Sequence, residues 1–459
     1  MNATSRRIEW WKILEFLLIF VVIPTFIFSF IASRSPDVLK ICYYTIVTIF
    51  VMQAALCYLH AMGAFSRKRF SRAEDIIKKG SPPVPKATFI VCAYLPNEIA
   101  IIEDTLTNIL TKVHRPKDGI EVILSYNTPN IQEVELRLHE MAAQHPELIL
   151  ANVHGSQSKT ENLNYALDLA SGEIIALLDA DHMVCEDCLE KAWRWIVTGE
   201  DCVQGRCKVR NGGESVVTSL VEVEFEVLYG VSHYAKSLQF DSALFAGSNA
   251  YWKRQALLDT RFRTDMLTED IDSTLRALIA GKKFLHDRSI LSFELAPKDF
   301  ASLWYQRKRW AQGWFQCAIK HQRSILKTAL LPLRAKFMWT NLLTWRIIYD
   351  VLSFLIFPIL FSYWIARHRI EFPMTPYIWF ALIFTLASGP FETIAAFKNS
   401  AVPKPPIKRF LLYAMMTFPY TIFKNMIQMV AVQDELLGKR EWFLSPRRLG
   451  DKKVQDPAK

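Results

Sequence analysis

The chain has 459 residues, enough for one large domain with several membrane helices, or for two or three domains. Hydrophobic residues make up 51% of the composition, including 30 Phe and 13 Trp, which is a high share for a water-soluble protein. The formal net charge is +10, but the basic residues form no single dense patch, and many of them flank apolar stretches. This distribution is typical of cytoplasmic membrane flanks and argues against a nucleic-acid partner.

The eight cysteines do not form a disulfide framework in so long a chain. Cys185 and Cys188 have the spacing of a zinc-binding pair, with Cys202 and Cys207 downstream. No second Cys-x-x-Cys and no His-x3-5-His completes such a site. We therefore expect reduced, partly buried thiols, with a zinc site as the alternative.

Apolar stretches at both ends of the chain predict membrane helices. Residues 13–31 are long enough to cross a bilayer with about 20 residues, and too long for a signal-peptide core. Residues 38–60 form a second, more polar span, for which a soluble core helix is the alternative. Positive flanks place both outer ends of this hairpin in the cytosol.

Two further spans are predicted at 347–366 and 376–397. The apolar residues 410–432 contain Pro419 and several polar side chains, and basic residues flank them on both sides. A full crossing would leave one basic cluster outside the cell. We therefore expect 410–432 to lie at the interface or to re-enter the membrane, with a full crossing as the alternative.

Between the spans, the Pro-rich residues 81–85 are typical of a linker, and regular alternation follows it. The predicted strands are 87–93, 119–125, 148–153 and 174–178, and the predicted helices are 101–110, 132–144 and 161–170. This alternation implies right-handed βαβ units in a Rossmann-like, mostly parallel sheet.

Two carboxylates, Asp179 and Asp181, follow the strand at 174–178. Ligands of open α/β sheets collect at the carboxyl ends of the strands. Two acids one residue apart repel each other unless a cation lies near them, and a hard ion such as Mg2+ or Mn2+, itself holding phosphate oxygens, suits that need. An Asp-rich turn without a function is the alternative.

Three further motifs follow along the chain. Residues 245–250, with Gly-Ser-Asn at 247–249, form a small-residue turn where backbone can approach a ligand closely, and residues 268–270 open a helix with Thr268 as its N-cap. In the amphipathic helix 302–314, spacing of i, i+3, i+4 and i+7 places four side chains on one face: Gln306, Arg309, Trp310 and Gly313. An interfacial helix with Arg and Trp at lipid headgroups is the alternative.

Asp-x-Asp at 179–181, Thr-Glu-Asp at 268–270 and Gln-x-x-Arg-Trp at 306–310, in this order and spacing, resemble the processive family 2 glycosyltransferases. That branch includes cellulose, chitin and hyaluronan synthases, and the similarity covers residues 86–320 and the flanking membrane helices. It implies an α/β GT-A domain with a mostly parallel sheet, in an inverting membrane enzyme. The enzyme would add sugar from a nucleotide-sugar, a UDP-hexose, to a β-linked polysaccharide and export the polymer.

Two other functions stay open at this point. The same motifs fit the transfer of a single sugar to a lipid acceptor, ceramide or a polyprenyl phosphate. A non-catalytic membrane protein or transporter with a degenerate nucleotide fold is the third hypothesis.

The resemblance also implies roles for the site residues. Asp270 would be the general base, and Asp181 with Asp179 would hold Mg2+ or Mn2+ against the leaving diphosphate. The nucleotide side would comprise Tyr94, Glu98, Asn127, Lys159, Asp179, Gln306 and Arg309, with Arg307 as a further diphosphate candidate. Trp310 would stack on the terminal acceptor sugar, beside Glu269 and Ser248. A loose match to a gating loop lies at Trp442, Ser445 and Arg447.

The chain departs from the family pattern at two positions. After the second strand it has Ser125-Tyr126-Asn127 where the family usually has an Asp pair, and Leu95-Pro96 is inserted before Asn97-Glu98. Asn127 can hydrogen-bond uracil without a charge. The choice between UDP and GDP and the identity of the sugar therefore stay open.

These observations together predict an integral membrane protein, in the plasma membrane, with a cytosolic catalytic domain. The predicted regions are an N-terminal transmembrane hairpin at 1–65, a linker at 66–85, the GT-A domain at 86–324, interfacial helices at 325–346, C-terminal membrane helices at 347–432 and a cytosolic tail at 433–459.

Overall fold

The computed structural model describes residues 10–66, 82–367 and 375–439, together with residues 76 and 80. The predicted linker at 66–85 therefore lies largely outside the described residues. The predicted gating-loop residues Trp442, Ser445 and Arg447 lie outside them altogether.

An eight-stranded sheet forms the centre of the chain. In chain order its strands are β1 Ala87–Tyr94, β2 Ile120–Asn127, β3 Leu148–Asn152, β4 Ile174–Asp179, β5 Met183–Val184, β6 Cys202–Val209, β7 Ala250–Lys253 and β8 Phe284–Glu294. Their spatial order is β3–β2–β1–β4–β7–β6–β8–β5. The first four strands pair in parallel, as do β6 and β8, whereas β7 is antiparallel to β4 and β6, and β5 to β8. The predicted mostly parallel α/β fold is confirmed.

Helices cover both faces of this sheet. They are α4 Leu95–Glu98, α5 Ile102–Lys112, α6 Glu133–Gln144, α7 Lys159–Leu169, α8 Cys188–Ile196, α9 Val216–Val227, α10 Tyr234–Phe240, α11 Arg254–Thr260 and α12 Glu269–Ile279, with a π-helical turn Leu228–His233 between α9 and α10. Successive residues of a strand point to opposite faces, so Ile90 packs into one apolar cluster while Phe89 and Val91 pack into another. Burial on both faces explains why β1 and β4 are nearly continuous apolar runs.

Sequence patterns did not indicate β7 or β8. Strand β7 has only four residues and directly follows the predicted turn at 247–249. In β8 the polar residues 286–289 interrupt the apolar pattern, and the pairing of β6 with β8 shifts register between Gln204 and Arg206. A strand with such an irregularity does not produce a two-residue period in sequence.

Long helices precede and follow the sheet domain. They are α1 Trp10–Leu17, α2 Ile23–Arg34 and α3 Pro36–Gly63 before it, and α13 Phe300–Lys327, α14 Leu333–Phe354, α15 Ile356–Arg367, α16 Pro376–Lys398 and α17 Ile407–Leu436 after it. A π-helical turn, Leu18–Val22, joins α1 to α2.

Four segments in the described part of the chain are long and apolar enough to cross a membrane. They are Ile13–Arg34, Pro36–Gly63, Leu333–Ile365 and Pro376–Lys398, and each overlaps one predicted span. The domain boundary predicted between 346 and 347 falls inside α14, which runs without a break from Leu333. The predicted interfacial residues 410–432 belong to α17, which is not one of the four segments.

Gly172 precedes β4 and allows the chain to pass close to β1. A methyl group there would lie 2.6 Å from the Thr88 backbone nitrogen and 2.7 Å from the Ala87 carbonyl carbon. Because a central strand cannot move aside, we expect Gly172→Ala to destabilise the fold by about 1–3 kcal/mol. The measurement is the thermal midpoint of the detergent-solubilised chain. Gly213→Ala is the control, since its methyl would meet only the flexible end of Arg409, and equal midpoints for the two variants would contradict this account.

Candidate active site

The predicted site residues of the described chain come together at the carboxyl edge of the sheet. Asp179 ends β4, Asp270 lies in the first turn of α12, and Trp310 lies in α13. One cavity of about 2320 Å³ contacts all twelve of them: Tyr94, Glu98, Asn127, Lys159, Asp179, Asp181, Ser248, Glu269, Asp270, Gln306, Arg309 and Trp310. The convergence follows from topology, because parallel strands end at the same edge of a sheet.

The two aspartates after β4 lie in a group of potential metal ligands. Donor atoms of Asp179, Asp181 and His182 all lie within 4.8 Å of one another. The Leu295 N–H donates to Asp181 Oδ2 at 3.0 Å, and the Asp179 N–H donates to Ser248 Oγ at 3.0 Å, so backbone contacts fix both residues. Two close carboxylates fit a hard divalent cation, and the adjacent imidazole is a further ligand of the kind that transition metals accept.

Lys159 connects the end of β4 to the start of α12. Its Nζ lies 2.5 Å from Asp179 Oδ1 and 3.3 Å from Glu269 Oε1, and it donates to the Gly247 carbonyl at 3.1 Å. Burial alone would lower the pKa of this ammonium, but the two carboxylates more than compensate and raise it. The side chain therefore stays charged and partly neutralises a strongly acidic corner of the cavity.

Asp270 is partly buried in this corner. Burial raises the pKa of its carboxyl to about 7, and Glu269 adds to the rise, while Lys159 and Arg309 oppose it. Gly247, at φ 86°, faces this carboxyl, and a side chain there would come within 3.2 Å of Asp270 Oδ2. The glycine leaves open the space in front of a carboxyl that titrates near neutral pH.

The region beyond β1 and β2 is polar and internally hydrogen-bonded. Asn162 Nδ2 donates to Asn127 Oδ1 at 2.9 Å, and Asn127 Nδ2 donates to the Ser156 carbonyl at 3.0 Å. Asn97 Nδ2 donates to the buried Glu98 at 3.0 Å. These contacts hold Asn127 and Glu98 in fixed orientations at the wall of the cavity.

Consecutive residues of α13 point to different partners. Gln306, Arg309 and Trp310 line the cavity, as their shared helix face predicts, and Arg309 Nη1 donates to the Leu267 carbonyl at 3.3 Å. Arg307, a candidate for the diphosphate, instead donates to Glu224 at 2.7 Å. The next residue, Lys308, forms a buried ion pair with Asp434 of α17.

Sequence reasoning missed two parts of the site. His182 Nε2 lies 2.6 Å from Glu294 Oε2 in β8, so the imidazole beside Asp181 is held from a strand that was not predicted. The cavity also continues between α3, α14, α15, α16 and α17, where it contacts Phe50, Gln53, Trp345, Phe357, Ser388, Thr421 and Asn425. The only sequence signal for this wall was the presence of polar residues within otherwise apolar helices.

The zinc alternative is not supported. All eight cysteines are free, and Cys188, the first residue of α8, is buried in the apolar core. Within the described ranges, the groups that could share an ion are Asp179 with Asp181 and His182, and His182 with Cys207 and Glu294. Neither includes Cys185 or Cys188.

Two family models match this chain. One is described as glycosyl transferase family 2 and matches residues 88–259, and the other, glycosyl transferase family group 2, matches residues 174–391. Together they cover the sheet domain, α13 and the membrane helices up to the middle of α16.

The chain is similar to proteins named poly-β-1,6-N-acetyl-D-glucosamine synthase. That of Staphylococcus aureus strain COL is 27% identical over 273 residues, which are 58% of this chain and 64% of that protein, so the match spans just under two thirds of the relative. That of Staphylococcus epidermidis is 23% identical over 371 residues, which are 80% and 87% of the two chains. A mannosyltransferase from Pyrobaculum calidifontis, solved with GDP-Man and Mn2+, is 20% identical with a TM-score of 0.49, covering 86% of this chain and 100% of that chain.

The titration of Asp270 predicts an effect on stability. The unfolded carboxyl ionises near pH 4, and the folded one at about pH 7. Ionisation therefore opposes folding increasingly as pH rises from 4 to 7, and the penalty is constant above that range. We expect Asp270→Asn to stabilise the chain at pH 8 by on the order of 1–3 kcal/mol, and by less at pH 5.

Asp272→Asn is the matched control on the same helix. Asp272 is buried and pairs with Arg276 at 2.7 Å and His321 at 2.7 Å, so its loss destabilises at neutral pH. Thermal midpoints measured from pH 5 to 8 test whether Asp270→Asn stabilises the chain and Asp272→Asn destabilises it. An Asp270→Asn variant less stable than wild type at pH 8 would contradict the placement of Asp270.

Proposed function

This chain belongs to the family 2 glycosyltransferases, and from that membership we propose that it is a membrane-embedded inverting transferase. It moves a sugar from a nucleotide-sugar, a UDP-hexose, to the end of a growing β-linked polysaccharide and exports the polymer as it lengthens. The observation that carries the proposal is the single cavity, because the same space contacts Asp181, Asp270 and Trp310 and continues between the membrane helices.

The donor nucleotide binds on the β1–β2 side of this cavity. Tyr94, Glu98 and Asn127 take the uridine, and Lys159, Gln306 and Arg309 face the diphosphate, for which a guanidinium is the better-matched cation. Asp179 and Asp181 hold Mg2+ or Mn2+, which supplies positive charge for the leaving diphosphate when bound.

Asp270 acts on the acceptor. Its carboxylate takes the proton from the acceptor hydroxyl as the hydroxyl oxygen bonds to the anomeric carbon, and the bond to UDP breaks with its electron pair leaving on the diphosphate. Attack from the face opposite the leaving group inverts the anomeric centre, so an α-linked donor gives a β-linked product. A carboxyl that titrates near pH 7 is well matched to this role at neutral pH.

Trp310 holds the acceptor end. An indole face packs well against the apolar C–H face of a pyranose. Of the two residues predicted beside it, Glu269 pairs with Lys159, and Ser248 accepts from the Asp179 N–H, so both act at the donor–acceptor boundary.

The polymer leaves through the membrane part of the cavity. Its wall combines aromatic rings, such as Phe50 and Phe357, with hydrogen-bonding side chains such as Gln53, Ser388 and Asn425. This mixture suits a sugar chain, which has apolar faces and hydroxyl edges. Such a passage supports a processive enzyme. The proposed location is the plasma membrane with the catalytic domain in the cytosol, an orientation that the positive flanks of the apolar segments favour.

We expect membranes containing this chain to form a polymer from one nucleotide-sugar in the presence of Mn2+ or Mg2+. UDP-N-acetylglucosamine is the first donor to test, because of the polymer in the relatives' names, followed by UDP-glucose and GDP-mannose. Asp270→Asn should lower the rate by about 10²–10⁴-fold because it removes the base. Asp259→Asn, an exposed change on α11, should retain wild-type activity. A wild type that makes no product from any donor, or an unimpaired Asp270→Asn, would refute the proposal.

The pH dependence of transfer provides a second test. Only ionised Asp270 can accept a proton, so kcat/KM should fall about tenfold per pH unit below an apparent pKa near 7. Glu269 contributes to that raised pKa, and Glu269→Gln should therefore shift the acid limb to lower pH. A kcat/KM that does not change from pH 5 to 8, or an acid limb that Glu269→Gln shifts to higher pH, would exclude Asp270 as the base.

A further inference from the structure

Helix α9 carries three carboxylates at alternate positions in an otherwise mostly apolar sequence, and each has a different partner. Glu222 pairs with Arg409 of α17, Glu224 with Arg307 of α13, and Glu226 with Arg206 and Lys208 of β6. Of these three, Glu224 alone contacts the cavity. Substitutions of these three glutamates can therefore distinguish a residue that acts on the cavity from residues that act only in packing.

Glu224 joins three elements at the point where the site meets the membrane passage. Its Oε2 accepts from Arg307 Nη2 at 2.7 Å and from the Tyr420 hydroxyl at 2.8 Å, and its Oε1 accepts from Lys424 Nζ at 3.0 Å. Burial alone would raise the pKa of this carboxyl, but Arg307 and Lys424 lower it to about 2. The carboxylate is therefore ionised at any working pH.

Arg307 in turn covers Trp310. Its guanidinium carbon lies 4.3 Å from the centroid of the indole ring, within the range of a cation–π contact. Because Arg307 Nη2 also donates to Glu224, the guanidinium cannot move off the ring without breaking this ion pair. The guanidinium thus occupies one face of the indole, and the partly buried ring still contacts the cavity.

We propose that Glu224 is a positioning residue for the acceptor: it holds Arg307 against Trp310 and so fixes the indole as a platform at the entrance to the membrane passage. The inference rests on the proposed function and deepens it, since Trp310 is the acceptor residue there. The same carboxylate also contacts Tyr420 and Lys424 and so links the indole to α17. The bound sugar and the passage therefore keep a fixed orientation relative to each other.

Glu224→Gln tests this proposal with Glu222→Gln as its matched control. Both changes remove one charge from α9 and break an ion pair to an arginine, but only the first loosens Trp310. We expect Glu224→Gln to raise the KM for a β-1,6-linked N-acetylglucosamine tetrasaccharide about tenfold, which is the scale of a lost cation–π contact. The donor KM and the affinity for UDP should stay at wild-type values, and Glu222→Gln should change neither.

A double-mutant cycle with Trp310→Leu, which removes the aromatic face, decides whether Glu224 acts through the indole. If it does, Glu224→Gln has little further effect on acceptor KM in the Trp310→Leu background. Additive effects, or an equal loss in Glu222→Gln, would overturn the proposal and leave Glu224 as a packing residue.

Calorimetric measurement of tetrasaccharide binding in the absence of donor distinguishes a failure of this inference from a failure of the proposed function. If Glu224→Gln binds the tetrasaccharide more weakly than Glu222→Gln does, the positioning role is supported. This holds even if the wild type transfers no sugar, a result that would refute the proposed function but not the positioning role. Equal binding in the two variants, with transfer intact in the wild type, would refute positioning alone.

Discussion

The arrangement of the site depends on one partly buried ammonium. Lys159 lies between Asp179 at the end of β4 and Glu269 at the start of α12, and without it these acids and Asp270 would face one another across a partly desolvated corner. Because an unpaired buried charge is costly, the lysine stabilises the approach of β4, which carries a proposed metal ligand, to α12, which carries the proposed base. The geometry for transfer follows from this electrostatic constraint.

Helix α13 connects that site to the long helices that follow it, because it packs against α14 and α17. Its residues 306–310 face the cavity, Glu224 of α9 and Asp434 of α17 in turn, because successive side chains on a helix point about 100° apart. Gln312 and Gln316, further along the helix, donate to Glu435 at 2.8 Å and 2.8 Å. The segment that presents the proposed diphosphate and acceptor residues is therefore fixed to the helix that lines the membrane passage.

The sequence was most informative where burial imposes a simple period. Strands β1 to β4 and the shared face of Gln306, Arg309 and Trp310 were predicted because each depends on local pattern. Contacts between distant segments had no such pattern. Strand β8 is irregular, and Arg307 faces a glutamate 83 residues away. The part of the cavity between the long helices is lined by five of them. The Thr268 hydroxyl contacts Cys317 at 3.7 Å and makes no N-cap hydrogen bond, since packing against α13 decides its orientation.

We propose that donor and acceptor groups share one pocket at the start of a passage between the long apolar helices. An electron cryomicroscopy map of the full chain with UDP and Mn2+ would show whether they do. We expect diphosphate density between Asp181 and Arg309, with Asp270 and Trp310 on the side that opens toward these helices. Nucleotide density elsewhere, or a bound nucleotide separated from Asp270 by protein, would contradict it.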